Sequence, residues 1–94
     1  MNIAIYGRSI STEHYPFIQT MFDKLFESKA NIIIYKPYLE NLLPEIDIKP
    51  DYTVFDSTQE IINSEFVFSI GGDGTILETI TFVKDLGIPI LGIN

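Results

Sequence analysis

The sequence lacks cysteine and tryptophan, and its 94 residues include one histidine and one arginine. The absence of cysteine excludes a disulfide framework and a zinc site built from thiolates. Basic residues are also scarce, with six against thirteen acidic residues and a formal net charge of −7. Because such a chain repels a phosphodiester backbone and an anionic lipid surface, we predict no nucleic-acid partner and no membrane partner.

Long apolar runs are absent as well. The run at residues 32–35 is far shorter than the ~20 residues that a membrane-spanning helix needs. The first residues have neither the basic region nor the apolar region of a secretory signal, so we predict a cytoplasmic protein. The length corresponds to one domain, which can bury roughly 60% of the surface that its unfolded chain exposes.

Short apolar segments with strand character alternate with segments of helical periodicity. The predicted strands are Asn2–Gly7, Ile32–Lys36, Glu65–Ile70 and Pro89–Ile93, with a weaker candidate at Tyr52–Phe55. Strands that alternate with helices in this way, joined by crossovers of this length, predict an α/β fold with a doubly wound, mainly parallel sheet.

Two longer helices are predicted from apolar residues at helical spacing. The first starts near Pro16, and its inward stripe is Phe17, Ile18, Met21, Phe22, Leu25 and Phe26. The second spans residues 76–86 and stops at Gly87, with an inward stripe of Ile76, Leu77, Ile80, Val83 and Leu86. Shorter helical turns are expected within residues 37–44 and, behind a cap at Asp56 or Ser57, as far as Asn63.

The segment with the clearest chemistry is the glycine-rich loop between the predicted third strand and the second long helix, with the sequence Gly71-Gly72-Asp73-Gly74-Thr75. Glycines let the backbone approach a ligand closely, and N–H groups at a helix start bind anions. An acid among them fits a phosphate that arrives with Mg²⁺, or a hydroxyl whose proton it accepts. The same residues also suit a plain turn, and Thr75 with Glu78 fits a capping box.

The loop, followed by Pro89-Ile90-Leu91-Gly92-Ile93-Asn94, resembles the NAD kinase family. The glycine–aspartate motif alone is shared with diacylglycerol- and sphingosine-type lipid kinases and with phosphofructokinases. In lipid kinases, however, the next strand leads into a Pro-x-Gly-Thr loop instead of Leu-Gly-Ile-Asn. In phosphofructokinases a further glycine-rich loop follows the first strand, where this chain has Arg8-Ser9-Ile10-Ser11.

The resemblance implies a Rossmann-like or phosphofructokinase-like domain that helps to transfer the γ-phosphoryl of ATP, or of polyphosphate in some members, to the 2′-hydroxyl of the adenosine ribose of NAD. It implies Asp73 as the general base and a divalent metal such as Mg²⁺, held through the ligand phosphates. The residues that it implies for substrate and nucleotide binding are Gly71, Gly72, Asp73, Gly74, Thr75 and Asn94. Family members are commonly homo-oligomers, either dimers or tetramers, and many carry a basic residue where this chain has Glu78.

The family's second, mainly β domain is not found in this sequence. We therefore predict that residues 1–94 are the N-terminal α/β domain of an NAD kinase and are inactive alone. Two alternatives stay open: a lipid or sugar kinase that shares the glycine loop, and a non-catalytic domain that senses nucleotides.

Two single residues complete the candidate list. Arg8 follows the first strand at the edge where ligands gather, so its guanidinium either binds phosphate or is an ordinary surface group. His14 lies in a polar stretch without a second metal-ligand type nearby in the sequence, which favours a solvated or capping role. The aromatic residues Phe17, Phe22 and Phe26 are interpreted as core.

Overall fold

The computed structural model describes residues 1–8 and 12–93, with the exception of the side chains of Asp73 and Lys84. In this part of the chain, five strands form one sheet in the order β3-β2-β1-β4-β5, and every neighbouring pair is parallel. The strands are β1 (Asn2–Gly7), β2 (Asn31–Tyr35), β3 (Tyr52–Phe55), β4 (Phe66–Ile70) and β5 (Ile90–Ile93). The predicted parallel α/β sheet is confirmed, including the weak candidate strand.

The helices lie on both faces of this sheet. They are α1 (Tyr15–Glu27), α2 (Lys36–Leu42) and α3 (Asp73–Val83), with 3₁₀ turns at Thr12–His14, Thr58–Ile61 and Lys84–Leu86. No helix in the described ranges has the length and apolar character needed to span a membrane. The short elements also agree with prediction, because Ser57 forms a capping box with Glu60 and Gly87 ends the last turn with a left-handed φ of 72°.

Alternate residues of β1 belong to two different apolar layers, one on each face of the sheet. Ile3 and Ile5 face one side, where they join a cluster with Ile18 and Phe22 of α1. Ala4 and Tyr6 face the other side, in a cluster with Phe55, Val67 and Val83. Side chains point alternately to the two faces of a strand, so a central strand covered by helices on both sides must be apolar throughout. The sheet is therefore doubly wound, as predicted.

The inward face of α1 is narrower than its sequence predicts. Ile18 and Phe22 are fully buried, and Met21, Leu25 and Phe26 pack at the edge of the cluster. The prediction for Phe17 was wrong, because its side chain is 52% exposed. Phe17 lies in the first turn of α1, near the carboxyl edge of the sheet.

Helix α3 differs most from the prediction. It begins at Asp73, inside the predicted loop, and not at Ile76. Its buried face carries Thr75, Thr79 and Val83, whereas Leu77 and Ile80 are 65% and 52% exposed, and Leu86 beyond it is also exposed. The spacing of the three buried residues is that of one helical stripe, so the helix has the predicted period but a different phase.

Candidate functional site

The carboxyl edge of β1 and β4 is the point where the strand order reverses. From β1 the sheet grows through β2 and β3 on one side and through β4 and β5 on the other. The helices that follow β1 and β4 lie on opposite faces, which leaves a crevice between them, the usual ligand position in open α/β sheets. A cavity of about 560 Å³ lies at this edge, within the range typical of small-molecule sites.

The glycine turn between β4 and α3 forms one wall of this cavity. Gly71 has a φ of 142°, and a Cβ placed there would lie 2.5 Å from Thr75 Oγ1, so both the backbone and the space require glycine. The N–H of Thr75 donates to the Gly72 carbonyl at 3.0 Å, which closes the first turn of α3. Gly72, Gly74 and Thr75 line the cavity. A methyl group at Gly72 or Gly74 would meet no atom of the described residues within 4 Å.

The hydroxyl of Thr79 connects the first turns of α3 to the sheet. Its side chain is fully buried, and Thr79 Oγ1 lies 2.7 Å from Ser69 Oγ on β4 and 2.7 Å from the main-chain oxygen of Thr75. Buried hydroxyls need such partners because an unpaired one loses its hydration without compensation. The polar pair explains why α3 turns Thr75 and Thr79 toward β4 and leaves Leu77 and Ile80 exposed.

Thr79→Val should therefore destabilise the protein although it preserves the shape of the side chain. Valine leaves the Ser69 hydroxyl without its buried partner, and such a loss costs about 1–3 kcal/mol. The free energy of unfolding, measured by urea denaturation, checks this expectation. Thr81→Val is the matched control, because Thr81 lies on the exposed side of the same helix and its hydroxyl, among the described residues, donates only to the Leu77 carbonyl. Equal stabilities of the two variants would contradict the role given to Thr79.

Gly7, the last residue of β1, supports a second wall. A Cβ at Gly7 would lie 2.7 Å from two ring atoms of Tyr38, so glycine is required for the ring of this α2 residue to sit on the strand end. Tyr38 is 1% exposed and lines the cavity, and its hydroxyl has no hydrogen-bond partner among the described residues. Burial raises the pKa of Tyr38 above its usual range, so the hydroxyl keeps its proton.

The opposite wall is aromatic. The rings of Tyr6 and Tyr35 stack with centroids 4.5 Å apart and an interplanar angle of 26°. Phe82 of α3 packs against both rings, at centroid distances of 5.3 Å and 5.6 Å. Such pairs contribute about 0.5–1.5 kcal/mol beyond the area they bury, so they stabilise this arrangement of the wall.

A carboxylate links this wall to the only arginine of the sequence. Arg8 Nη1 forms a salt bridge with Glu78 Oε2, and the Tyr6 hydroxyl donates to Glu78 Oε1 at 3.2 Å. Burial, followed by the neighbouring Tyr35 and Glu78, raises the pKa of Tyr6 to about 12, so Tyr6 remains a donor at neutral pH. The capping-box prediction for Thr75 and Glu78 was wrong, because α3 starts at Asp73 and Glu78 turns toward the cavity.

The structure thus brings four predicted site residues, Arg8, Gly72, Gly74 and Thr75, around one cavity. Gly71 does not line this cavity. It lines a second, smaller and mainly apolar cavity of about 200 Å³ on the other side of the turn, which Phe17 also lines. The side chain of Asp73 and the whole of Asn94 lie outside the described residues.

Sequence reasoning missed the tyrosines that line the large cavity, Tyr6, Tyr35 and Tyr38. A usable signal was present for two of them. Tyr35 and Tyr38 follow the apolar run of β2, and the carboxyl ends of parallel strands meet at one edge of a sheet. For Tyr6 there was no such signal, because its position inside β1 is equally suited to a core residue.

The doubly wound parallel sheet and the cavity at its switch point place this chain in the Rossmann-like class of α/β domains. A family profile described as the ATP-NAD kinase N-terminal domain matches residues 39–94. The chain belongs to this family, which confirms the resemblance derived from its two motifs.

Individual relatives agree with this assignment. The chain is 39% identical to an NAD kinase of Flavobacterium johnsoniae and 35% identical to that of Christiangramia forsetii, over its whole length in both cases. It spans about a third of the length of these curated relatives, 32% in each case. A crystal structure of yeast NADH kinase complexed with NADH has the same fold over 98% of the chain and 30% of its own length, with a TM-score of 0.74 and 18% identity.

Proposed function

We propose that this chain is the N-terminal domain of an NAD kinase, which transfers the γ-phosphoryl of ATP to the 2′-hydroxyl of the adenosine ribose of NAD. The observation that carries the proposal is that the glycine turn of residues 71–75 forms one wall of the cavity at the point where the strand order reverses. Membership of the ATP-NAD kinase family supports the same activity.

The cavity wall suits phosphate for two reasons. Gly72 and Gly74 carry no side chains, so phosphate oxygens can reach the main-chain N–H groups at the start of α3, where the helix dipole also favours negative charge. Arg8 offers a planar guanidinium at the mouth of the same cavity, a group that binds phosphate in a bidentate manner. We assign phosphate binding to this surface.

Asp73 is the proposed catalytic residue. It is the first residue of α3, between the two glycines that line the cavity. A carboxylate is too weak a base to deprotonate a ribose hydroxyl in advance. Asp73 would therefore orient the 2′-hydroxyl and accept its proton late, while phosphoryl transfer proceeds through a loose transition state.

A divalent metal such as Mg²⁺ would neutralise charge on the phosphates during transfer. Among the described residues there is no cluster of three or more side chains able to hold a metal ion. We propose that this metal is held mainly by the phosphates of ATP, or of polyphosphate where that is the donor.

Other features of the whole protein are proposed on the relatives' length and on composition. The relatives are about three times as long as this chain, and the family resemblance implies that a second, mainly β domain would complete the NAD pocket. We propose a cytoplasmic homo-oligomer, a dimer or tetramer, that binds NAD and ATP. The net charge of −7 supports the absence of nucleic-acid and membrane partners.

The test is NADP formation by the complete protein from NAD, ATP and Mg²⁺, followed with an NADP-specific dehydrogenase. We expect turnover with the complete protein and none with the 94-residue chain alone. Transfer of ³²P from ATP to diacylglycerol, sphingosine or a sugar, with none to NAD, would replace the proposal by the corresponding kinase. Nucleotide binding without transfer to any of these acceptors would identify a sensing domain instead.

A further inference from the structure

Glu78 is an unexpected residue in a cavity that is proposed to bind the phosphates of a nucleotide. Its side chain is 42% exposed and lines the cavity together with Arg8, Gly74 and Thr75. A carboxylate in this place repels a polyanion, and the net charge of the chain adds to the repulsion. The following inference rests on the function proposed above.

The contacts of Glu78 divide between its two oxygens. Arg8 binds Oε2 through Nη1, and the Tyr6 hydroxyl donates to Oε1. The Arg8 side chain as a whole is 59% exposed and lines the cavity, so a ligand in the cavity can reach it. Tyr6 is buried at 7% exposure and held by its stack on Tyr35, so its hydroxyl stays beside Glu78 when Arg8 moves.

The balance of energies favours an exchange of partners. An exposed ion pair contributes only about 0–1 kcal/mol, because water screens the charges and two long side chains lose freedom. A phosphate offers Arg8 two parallel charge-assisted hydrogen bonds, which are stronger than a contact through one nitrogen. After the exchange, Glu78 still accepts a hydrogen bond from Tyr6 and is partly hydrated, so it is not left without a donor.

We propose that Arg8 and Glu78 form an exchangeable ion pair, in which a phosphate of the bound nucleotide displaces Glu78 from Arg8. Glu78 holds Arg8 at the cavity mouth in the absence of ligand and competes with phosphate for it. The residue thereby limits the affinity of the site for nucleotide phosphates. Tyr6 retains the displaced carboxylate and allows the pair to form again when the product leaves.

The test is isothermal titration of the complete protein with ATP and with inorganic tripolyphosphate. Glu78→Gln should bind both ligands about 3- to 10-fold more tightly, and Arg8→Gln should bind them more weakly by a similar factor, which corresponds to about 1 kcal/mol for each change. The control is Glu27→Gln, which removes the same charge at the exposed end of α1, four residues before β2 begins and thus at the opposite edge of the sheet.

The double variant, with both Glu78→Gln and Arg8→Gln, distinguishes competition for Arg8 from simple repulsion between Glu78 and the phosphates. If Glu78 competes for Arg8, the gain from Glu78→Gln should shrink clearly in the Arg8→Gln background, because coupled residues are not additive. An equal gain in both backgrounds, or weaker binding by Glu78→Gln alone, would overturn the exchange. Unchanged binding by Glu78→Gln in a protein that still makes NADP would overturn it while the proposed function stands. A wild-type protein that binds neither ligand and makes no NADP would overturn both.

Discussion

Asp73→Asn in the complete protein should lower kcat for NADP formation by roughly 10²- to 10⁴-fold, the usual contribution of a general base. Asparagine has nearly the same size as aspartate and can still hydrogen bond, but its amide cannot accept the proton of the 2′-hydroxyl. The Kd for ATP should change little, because phosphate binding is assigned to the main chain of the turn and to Arg8. The two quantities are measured by steady-state kinetics and by isothermal titration.

Asp85→Asn is the matched control for this variant. Asp85 is exposed in the turn that follows α3, far from the first turn of the helix, and the change removes the same charge. It should leave both kcat and Kd near the wild-type values. If Asp73→Asn retains full turnover, Asp73 has no part in proton transfer; if both constants collapse together with the thermal stability, the residue is structural.

Much of the fold was predictable because its strands are short apolar runs bounded by turns. The run Ile32–Ile34 is an example: in a parallel sheet covered on both sides, both faces of a strand meet apolar layers. Ile32 and Ile34 are buried in one layer, and Ile33 packs, partly buried, against the other. The doubly wound, mainly parallel sheet follows from the alternation of strands with crossover helices, whereas the strand order is a finding of the structure. The glycine motif located the cavity wall because ligands gather at the carboxyl ends of such strands.

The phase of α3 was not predictable from its apolar residues. Leu77 and Ile80 fit an inward stripe, yet the helix starts at Asp73 and turns Thr75 and Thr79 toward the sheet. A hydroxyl is favourable there only because Ser69 and a main-chain oxygen are its partners, and pairings of this kind depend on the folded chain.

The same limit applies to the polar side chains of the cavity. Glu78 and Arg8 are separated by seventy positions, and their ion pair exists only because β1 and β4 are neighbours in the sheet. The close fit of Tyr38 over Gly7 is likewise a contact between separate elements, α2 and β1. A local sequence pattern describes a single helix or strand. It can therefore predict the edge of the sheet where the site lies, but not the pairs of residues from separate elements that form the site.

Gly71→Ala should be the most destabilising change in the glycine turn. Two effects add at this position: a φ of 142° is strained for alanine, and the new methyl group would lie 2.5 Å from Thr75 Oγ1. Together they should cost about 2–4 kcal/mol. In the complete protein, whose relatives are about three times as long as this chain, that corresponds to a fall in Tm of roughly 4–12 °C, measured by differential scanning calorimetry.

Gly72→Ala tests whether the cavity needs open space at the turn, separately from the backbone requirement at Gly71. No atom of the described residues lies within 4 Å of its added methyl group, and Gly72 has no positive φ, so its stability should stay within about 0.5 kcal/mol of wild type. The methyl group would, however, take up space at the cavity surface that Gly72 lines, and ATP should bind more weakly although the fold is intact. Equal losses of stability in the two variants would contradict the geometry of the turn, and unchanged ATP binding by Gly72→Ala would contradict its proposed contact with phosphate.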